Sequence, residues 1–396
     1  MVKPLDGILV IDLSRVLAGP YCTMELADMG ATVIKIEIPG SGDDTRAYGP
    51  PFLHGESTYF MSVNRNKKSM TLNLKHTQGK EILRQLLQKG DVLVENFRPG
   101  TLDGLGFGYD AVHTLNPRLI YCSISGFGQT GPYAQRPGYD LIAQAEGGVM
   151  SLTGEPDSPP LKVGLSFADI TAGMNAFSGI LLALLARQHT GEGQRVDVSL
   201  LDCQVSLLTY QAAIYFATGK NPERLGNKHP SITPYETFET SDGHIIIACG
   251  NQGFWERFCK LAALEPLLAD DRFTTMKKRV ENRAELTPLV AAAVKARTRQ
   301  EWYELLDREG IPCGLIKHVA EVCTDPQVLA RDMVVQLNHP TAGPISVNGV
   351  PIKLSATPGE VNDPPPLLGQ HTVAILSDIL GYPADQIAEL RQLKAV

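Results

Sequence analysis

Short apolar runs alternate with amphipathic stretches through the first two hundred residues, and the alternation predicts strands that feed helices. Gly7 to Leu13 (G-I-L-V-I-D-L) reads as a buried strand, Tyr21 to Met29 as a helix that Gly30 stops, and Ala31 to Ile38 as a β-branched second strand. Strand, helix and strand in that order make a βαβ opening. Further along come strand Ser69 to Leu74, helix Gln78 to Gln88, strand Asp91 to Glu95 and strand Leu119 to Ser125. A long apolar helix follows, starting near Asp169 and ending by the T-G-E-G turn at Thr190 to Gly193; Gln194 to Leu200 and Leu201 to Thr218 add a strand and a helix. These elements predict an α/β domain.

From Lys220 to Pro234 the chain turns polar and carries Gly and Pro, the composition of a linker. Beyond it Tyr235 to Thr240 and His244 to Cys249 flank S-D-G and predict a hairpin, and helices follow. One of these is bounded by the capping box Thr298-x-x-Glu301 and by Gly310. The expected organisation is the N-terminal part of a large domain over 1–224, a smaller α+β domain over 225–325, and a tail over 326–396 that returns to the large domain. The tail is too small to bury a core of its own.

Composition narrows the function. The chain has 396 residues, 43% hydrophobic and 20% charged, which suits a globular protein of more than one domain. Its first residues lack the layout of a signal peptide, and its longest apolar run falls short of a bilayer, so the expectation is a cytoplasmic protein without a membrane partner. Seven cysteines are scattered with no C-x-x-C, and nine histidines show no H-x-x-H or H-E-x-x-H. That pattern predicts reduced thiols and no metal site. A net charge of −7 argues against broad nucleic-acid binding while leaving room for a local basic pocket.

Several stretches carry candidate chemistry. The turn Ser14 to Pro20 (S-R-V-L-A-G-P) is not G-x-G-x-x-G, so a nicotinamide or flavin dinucleotide is not expected, yet Ala18 and Gly19 fall where open α/β sheets bind ligands. Asn64 to Lys68 places three cations in five residues ahead of a strand ending at Lys75, the pattern of a solvated surface or of a phosphate site. Arg98, in N-F-R-P-G, leaves a strand end where a guanidinium can meet phosphate. The Gly-rich loop Gly126 to Gly138 delivers Tyr139 and Asp140. Asp169 sits in G-L-S-F-A-D-I-T-A-G, where a loop enters a helix. Ser166-x-x-Asp169 matches a capping pattern, and the same first turn favours negative charge, so the carboxylate is expected to be held ionised there, with Gly164 and Gly173 leaving room for a ligand or a neighbouring backbone.

D-L-S-R-V-L-A-G-P, G-A-T-V-I-K-I-E, G-S-G-D-D-T-R, N-R-N-K-K-S, V-E-N-F-R-P-G, G-Y-D and P-L-L-G-Q-H-T, in this order along the chain, resemble the family III CoA-transferases. Gly40 to Arg46 and Asn64 to Ser69 are most similar to the branch that moves CoA from succinyl-CoA to glutarate or 3-hydroxymethylglutarate. The resemblance implies a Rossmann-like large domain built from both chain ends, an interlocked homodimer, and Asp169 as the carboxylate that carries the acyl group. It implies CoA thioesters as substrates together with a small carboxylic acid, and no permanently bound cofactor. Its CoA contacts fall on Val16, Leu17 and Ala18, on Leu72, Asn73, Leu74 and Lys75, on Asn96, Phe97 and Arg98, and on Tyr139 with Asp140. This chain has Leu17 where the formyl-CoA enzyme has Gln, and Ile38 and Gly104 where it has arginines. Gly250 and Gly253, in G-N-Q-G, correspond to that enzyme's glycine loop over the nucleophile. The second carboxylate of a dicarboxylic substrate is expected at Arg46, Arg65 or the segment His229 to Ser231.

The chemistry suits a carboxylate. Moving CoA between two acids conserves the thioester, so the nucleophile must form an acyl adduct that stays reactive, as a mixed anhydride does and a serine ester does not. The anionic tetrahedral intermediate needs fixed donors, expected from backbone amides at the start of the Asp169 helix or in the glycine loop. Two rival readings share the CoA pocket. A 2-methylacyl-CoA racemase would need the histidine acid/base that Tyr139 replaces. A non-catalytic acyl-CoA-binding protein would have no use for Asp169 as a nucleophile.

Overall fold

The computed structural model describes residues 2–396, which form two compact units. The first comprises 2–149, 162–213 and 326–396; the second comprises 150–161 and 214–325. The second unit therefore begins at Ile214 instead of 225 and takes in the turn-rich segment 150–161.

In the first unit six parallel strands, β1 (Leu9–Asp12), β2 (Thr32–Glu37), β3 (Lys67–Thr71), β4 (Val92–Glu95), β5 (Ile120–Ser125) and β6 (Arg195–Ser199), run in the order β3-β2-β1-β4-β5-β6. This is the doubly wound order of dinucleotide-binding sheets. Val10 of β1 pairs with Val33 on one side and Val92 on the other. Because side chains alternate across the sheet, Val10, Val33, Val92 and Val94 face one core while Ile11, Ile34 and Leu93 face another.

Helices α1 (Ala18–Asp28), α2 (Thr58–Ser62), α3 (Thr77–Lys89), α4 (Asp140–Glu146), α5 (Phe167–Thr190) and α6 (Leu200–Leu207) belong to this unit. The first core takes Leu26 of α1 and Ala172, Ala176 and Ile180 of α5; the second takes Ile82, Leu83 and Leu86 of α3. Each leucine or isoleucine so buried contributes roughly 1.5–3 kcal/mol relative to exposure. The chain's far end completes the second core with Ile375, Leu376, Ile387 and Leu390. It is tied to β3 and the residues after it, where Thr71 N donates to Thr372 Oγ1 (3.0 Å) and Asn73 N to Ala395 O (2.9 Å).

Two expectations need correction. The helix foreseen over 201–218 is two helices, Leu200–Leu207 and Thr209–Thr218, because Thr209 has φ +37° at the junction. The apolar stretch of α5 is long enough, by length and composition alone, to cross a bilayer; 44% of that window is buried inside the molecule.

The second unit holds an antiparallel sheet of β7 (Tyr235–Glu239), β8 (His244–Ala248) and β9 (Cys313–Leu315), with β8 central. Helices α7 (Gln252–Leu261) and α8 (Arg299–Arg308) bury Trp255, Phe258 and Trp302 beside it. The expected hairpin and the Thr298/Glu301 capping box are both present, and Gly310 adopts φ +64° beyond α8.

Candidate active site

β1 is the strand at which the order reverses, and its neighbour β4 continues the sheet the other way, so the crevice between their carboxyl ends is the switch point where such sheets take ligands. The loop Ser14 to Pro20 leaves β1 and Asn96 to Pro99 leaves β4. Buried charges clamp the first loop. Lys35 Nζ donates to Ser14 O (3.0 Å) and pairs with Asp43 (2.8 Å); Lys67 Nζ donates to Pro20 O (2.9 Å) and lies 3.4 Å from Asp12. Asn96 brackets the Arg15 backbone, accepting from its N–H (2.8 Å) and donating to its carbonyl (2.7 Å). Between these ties Val16 is held at φ +68°, a conformation that costs a β-branched residue about 1–3 kcal/mol. α1 then begins without a side-chain cap, and the amides of Leu17, Ala18 and Gly19 have no acceptor among the described residues.

Asp169 is the third residue of α5. The glycine four residues on explains how the helix reaches the loop: a Cβ at Gly173 would lie 2.7 Å from Ala18 O, so α5 crosses α1 where only hydrogen fits. Gly164 has open space around it and no such duty. The capping pattern foreseen at Ser166 is not used. Ser166 makes no side-chain cap, and the first-turn amides are taken instead by Asp140 of α4, whose Oδ1 accepts from Ala168 N (2.8 Å) and Asp169 N (3.4 Å). Those amides are therefore not free to stabilise an oxyanion. The Asp169 carboxylate itself has no hydrogen-bond partner among the described residues. Burial, and secondarily the charge of Asp140, push its pKa up to about 7.

Asp169 lines a cavity of about 410 Å³ together with Val16, Leu17, Ala18, Asn96, Phe97, Arg98 and Tyr139. Leu72, Asn73, Leu74 and Lys75 are not in it. They line a second cavity of about 660 Å³ with Ile38, Gly104 and Lys394. Arg15 and Phe97 are common to both cavities, with the guanidinium carbon 5.4 Å from the ring centroid. The two spaces are thus neighbours on either side of one stacked pair. Asn96 lines the first cavity while both groups of its amide are committed to Arg15, and Tyr139, at the start of α4, is exposed.

The arginines expected to hold a second carboxylate are not available. Arg46 grips Glu37 with two nitrogens (2.6 and 2.7 Å), reaches Pro366 O and lies over the Phe60 ring. Arg65 is buried and grips Asp28 (3.1 and 2.7 Å). Neither lines the Asp169 cavity. The run Asn64 to Lys68 is accordingly not a solvated surface or a phosphate site through most of its length: Asn64, Arg65 and Lys67 are buried. His229 and Ser231 lie in the second unit, where His229 Nδ1 accepts from Ser231 N (3.1 Å) and the imidazole lies against Tyr235. Gly250 to Gly253 is less of a loop than expected. Asn251 caps α7 by accepting from Phe254 N (2.9 Å), and Gly253 already belongs to the helix.

Sequence reading missed Tyr59 and Tyr48. Burial and the neighbouring Asp169 charge push the Tyr59 phenol up to about 12, and its ring meets that of Tyr48, a cavity residue, edge to face at 5.6 Å. No spacing rule links position 59 to position 169; only the folded loop after β2 brings them together.

A doubly wound sheet with an unpartnered carboxylate in a cavity at its switch point, and a second cavity that shares the Arg15–Phe97 pair with it, marks a ligand-binding α/β protein. Comparison with known proteins specifies which. The profile of CoA-transferase family III matches residues 5–372. Succinyl-CoA:glutarate CoA-transferase of Mus musculus is 44% identical over 389 residues, covering 98% of this chain and 89% of that protein. Succinate–glutarate CoA-transferase of Agrobacterium fabrum is 42% identical over 95% of this chain and 96% of its own length. A crystal structure of a CAIB/BAIF family protein from Brucella suis superposes with TM-score 0.86 at 43% identity, covering 96% of this chain and all of that one. The chain belongs to CoA-transferase family III.

Proposed function

We propose that this protein transfers CoA from an acyl-CoA, with succinyl-CoA as donor, to a small dicarboxylic acid through covalent intermediates on Asp169. One carboxylate oxygen of Asp169 adds to the thioester carbonyl, and collapse of the tetrahedral adduct expels CoA thiolate and leaves an acyl–aspartyl anhydride. The thiolate attacks the aspartyl carbonyl, which releases the donor acid and places CoA on Asp169. The acceptor carboxylate then displaces the thiolate to give a second anhydride, and thiolate attack on its acyl carbonyl yields the new acyl-CoA and free Asp169. Every bond broken is replaced by one of similar reactivity, so neither ATP nor metal is required.

The single observation that carries this reading is the Asp169 carboxylate, unpartnered in a cavity at the switch point. Donors for the oxyanion are the unoccupied amides of Leu17 and Ala18 on the same cavity wall, since those of α5 are spent on Asp140. Loss of one such donor typically costs about 3 kcal/mol. In this reading CoA lies across both cavities: the pantetheine arm passes the Arg15–Phe97 pair and the nucleotide end reaches Leu72 to Lys75, where Lys75 and Lys394 face its phosphates. Ile38 and Gly104 give that cavity an apolar wall suited to a base. With Arg15 paired to Asp44 and Arg136 to Glu146, Arg98 is the cation of the first cavity left to meet an anionic substrate. The dicarboxylic class of acceptor is supported by the names of the mouse and Agrobacterium relatives. The working form proposed is an interlocked homodimer.

Asp169→Ala is expected to abolish transfer from succinyl-CoA to a panel of acids, read by mass spectrometry of the CoA products. Hydroxylamine is expected to trap an acyl adduct on the unmodified enzyme and none on the variant. Transfer by Asp169→Ala at the parent rate rejects the mechanism.

A further inference from the structure

A carboxylate at the third position of a helix is normally drawn into capping it. From the third position, with Ser166 at the N-cap, Asp169 is placed to fold back on its own or a neighbouring first-turn amide. Such a cap holds the carboxylate in hydrogen bonds to amides, which fixes its oxygens and lowers its basicity. Both effects oppose nucleophilic attack. In this protein the capping is done from outside. Asp140, the first residue of α4, accepts from Ala168 N and Asp169 N through Oδ1, while its Oδ2 accepts from Gln144 Nε2 at 2.8 Å. Gln144 is fully buried and its own Oε1 accepts from Val163 N (2.9 Å), so the chain just before α5 and the residue that caps α5 are held by the same side chain. Asp140 is absent from the walls of both cavities.

We propose that Asp140 is a positioning residue that takes over the capping of α5 and so leaves the Asp169 carboxylate free to attack, instead of contacting CoA. The inference rests on the reading of Asp169 as nucleophile. It explains why a helix start that offers every means of tying up Asp169 leaves it without a partner.

The charges around Asp169 make the role measurable. Asp140 faces it from α4 and Tyr59 from α2; the cavity wall adds Tyr48, Tyr139, Arg98, the pair Arg15–Asp44 and Arg136, which is paired with Glu146 of α4. Asp44 and Glu146 are paired with Arg15 and Arg136, so Asp140 is the like charge whose removal Asp169 feels. Asp140→Asn keeps an acceptor at Oδ1 for the cap and removes the charge; Asp140→Ala removes both.

The test measures the pH dependence of kcat/KM, and KM for succinyl-CoA, in these two variants beside Asp169→Ala. With the positioning role, the acid limb moves down by about one pH unit in Asp140→Asn. In Asp140→Ala, kcat falls by about 10–100-fold as the helix start recaptures Asp169, with KM for succinyl-CoA little changed. A raised KM for succinyl-CoA with an unmoved acid limb means a CoA contact and overturns the inference while the nucleophile reading stands. Unchanged kinetics in both variants overturn it as well. Activity retained by Asp169→Ala removes the reading beneath it. Asp140→Asn, which keeps the cap acceptor, carries the decision if Asp140→Ala fails to fold.

Discussion

At the scale of single residues, two carboxylates are held near neutrality by burial, and each makes a pH prediction of definite sign. As the proposed nucleophile Asp169 must be ionised, so with its pKa pushed up to about 7 the acid limb of kcat/KM is expected to lie near pH 7, well above an ordinary aspartate. Glu25 is the other. Burial, then the charge of Asp28, push it up to about 7, and its Oε2 is buried without a partner. The unfolded chain ionises this group near its usual value while the folded chain keeps the proton to about 7. Its cost to stability is therefore absent below the unfolded value, grows between the two, and is complete above pH 7. Glu25→Gln is expected to stabilise the protein at pH 8 by on the order of 1 kcal/mol, and by less at pH 5, as read from urea midpoints. An equal effect at both pH values would show that Glu25 is not held neutral. Candidate residues were legible in sequence where a short motif marks them, as at Asp169, which the structure places in a cavity. They were not where the partner is distant in the chain: Asp140 caps from 29 residues away, and Arg46 and Arg65 look like free surface charges until Glu37 and Asp28 are found against them.

At the scale of elements, the alternation of apolar strands and amphipathic helices was readable because a parallel sheet buried on both faces needs nearly continuous apolar strands. Strand order was not readable, since nothing in β1 specifies that both β2 and β4 flank it. Nor was the dense polar interior, because Lys35, Lys67 and Asp12 are ordinary charges in sequence and become buried only when the loop after β1 closes over them. The crossing of α1 and α5 is where an element-scale change is most informative. Alanine is better than glycine inside a helix by about 1 kcal/mol, but at Gly173 the added carbon would meet the Ala18 carbonyl at 2.7 Å and Tyr21 at 3.1 Å. Backbone cannot yield as a side-chain tip can, so Gly173→Ala is expected to destabilise by about 1–3 kcal/mol and to lower kcat by pushing Asp169 away from Leu17 and Ala18. Gly179→Ala on the same helix meets only the Cγ1 of Val196 at 2.8 Å, which a rotamer change relieves, so it serves as the comparison. Equal losses of stability and activity in the two variants, measured by thermal melts and initial rates, would show that the close crossing does not set the site.

At the scale of the whole molecule, the outward face of α5 is the feature a single chain leaves unexplained. Met174, Leu182 and Leu185 are exposed on it, Leu182 at 67%, and Val205 is exposed on α6. Large apolar side chains gathered on neighbouring helices mark a surface that another protein covers, and in the proposed interlocked homodimer a second copy covers it. Threading gives this assembly a kinetic property that an ordinary face-to-face dimer lacks. Two chains that pass through one another cannot separate by diffusing apart. One of them must first unfold enough to be withdrawn, so the rate of subunit exchange is bounded by a rate of unfolding, which for stable domains extends to days. Mixing isotopically heavy and light enzyme, each a pair of 43.0 kDa chains, is expected to leave two homodimer masses and no mixed species over a day under native conditions. Co-expression of tagged and untagged chains is expected to give the mixed dimer freely, since pairing then accompanies folding. A 1:2:1 distribution within minutes of mixing would show that the copies dissociate as folded bodies, and a mass of one chain at assay concentration would show that α5 is covered by something else.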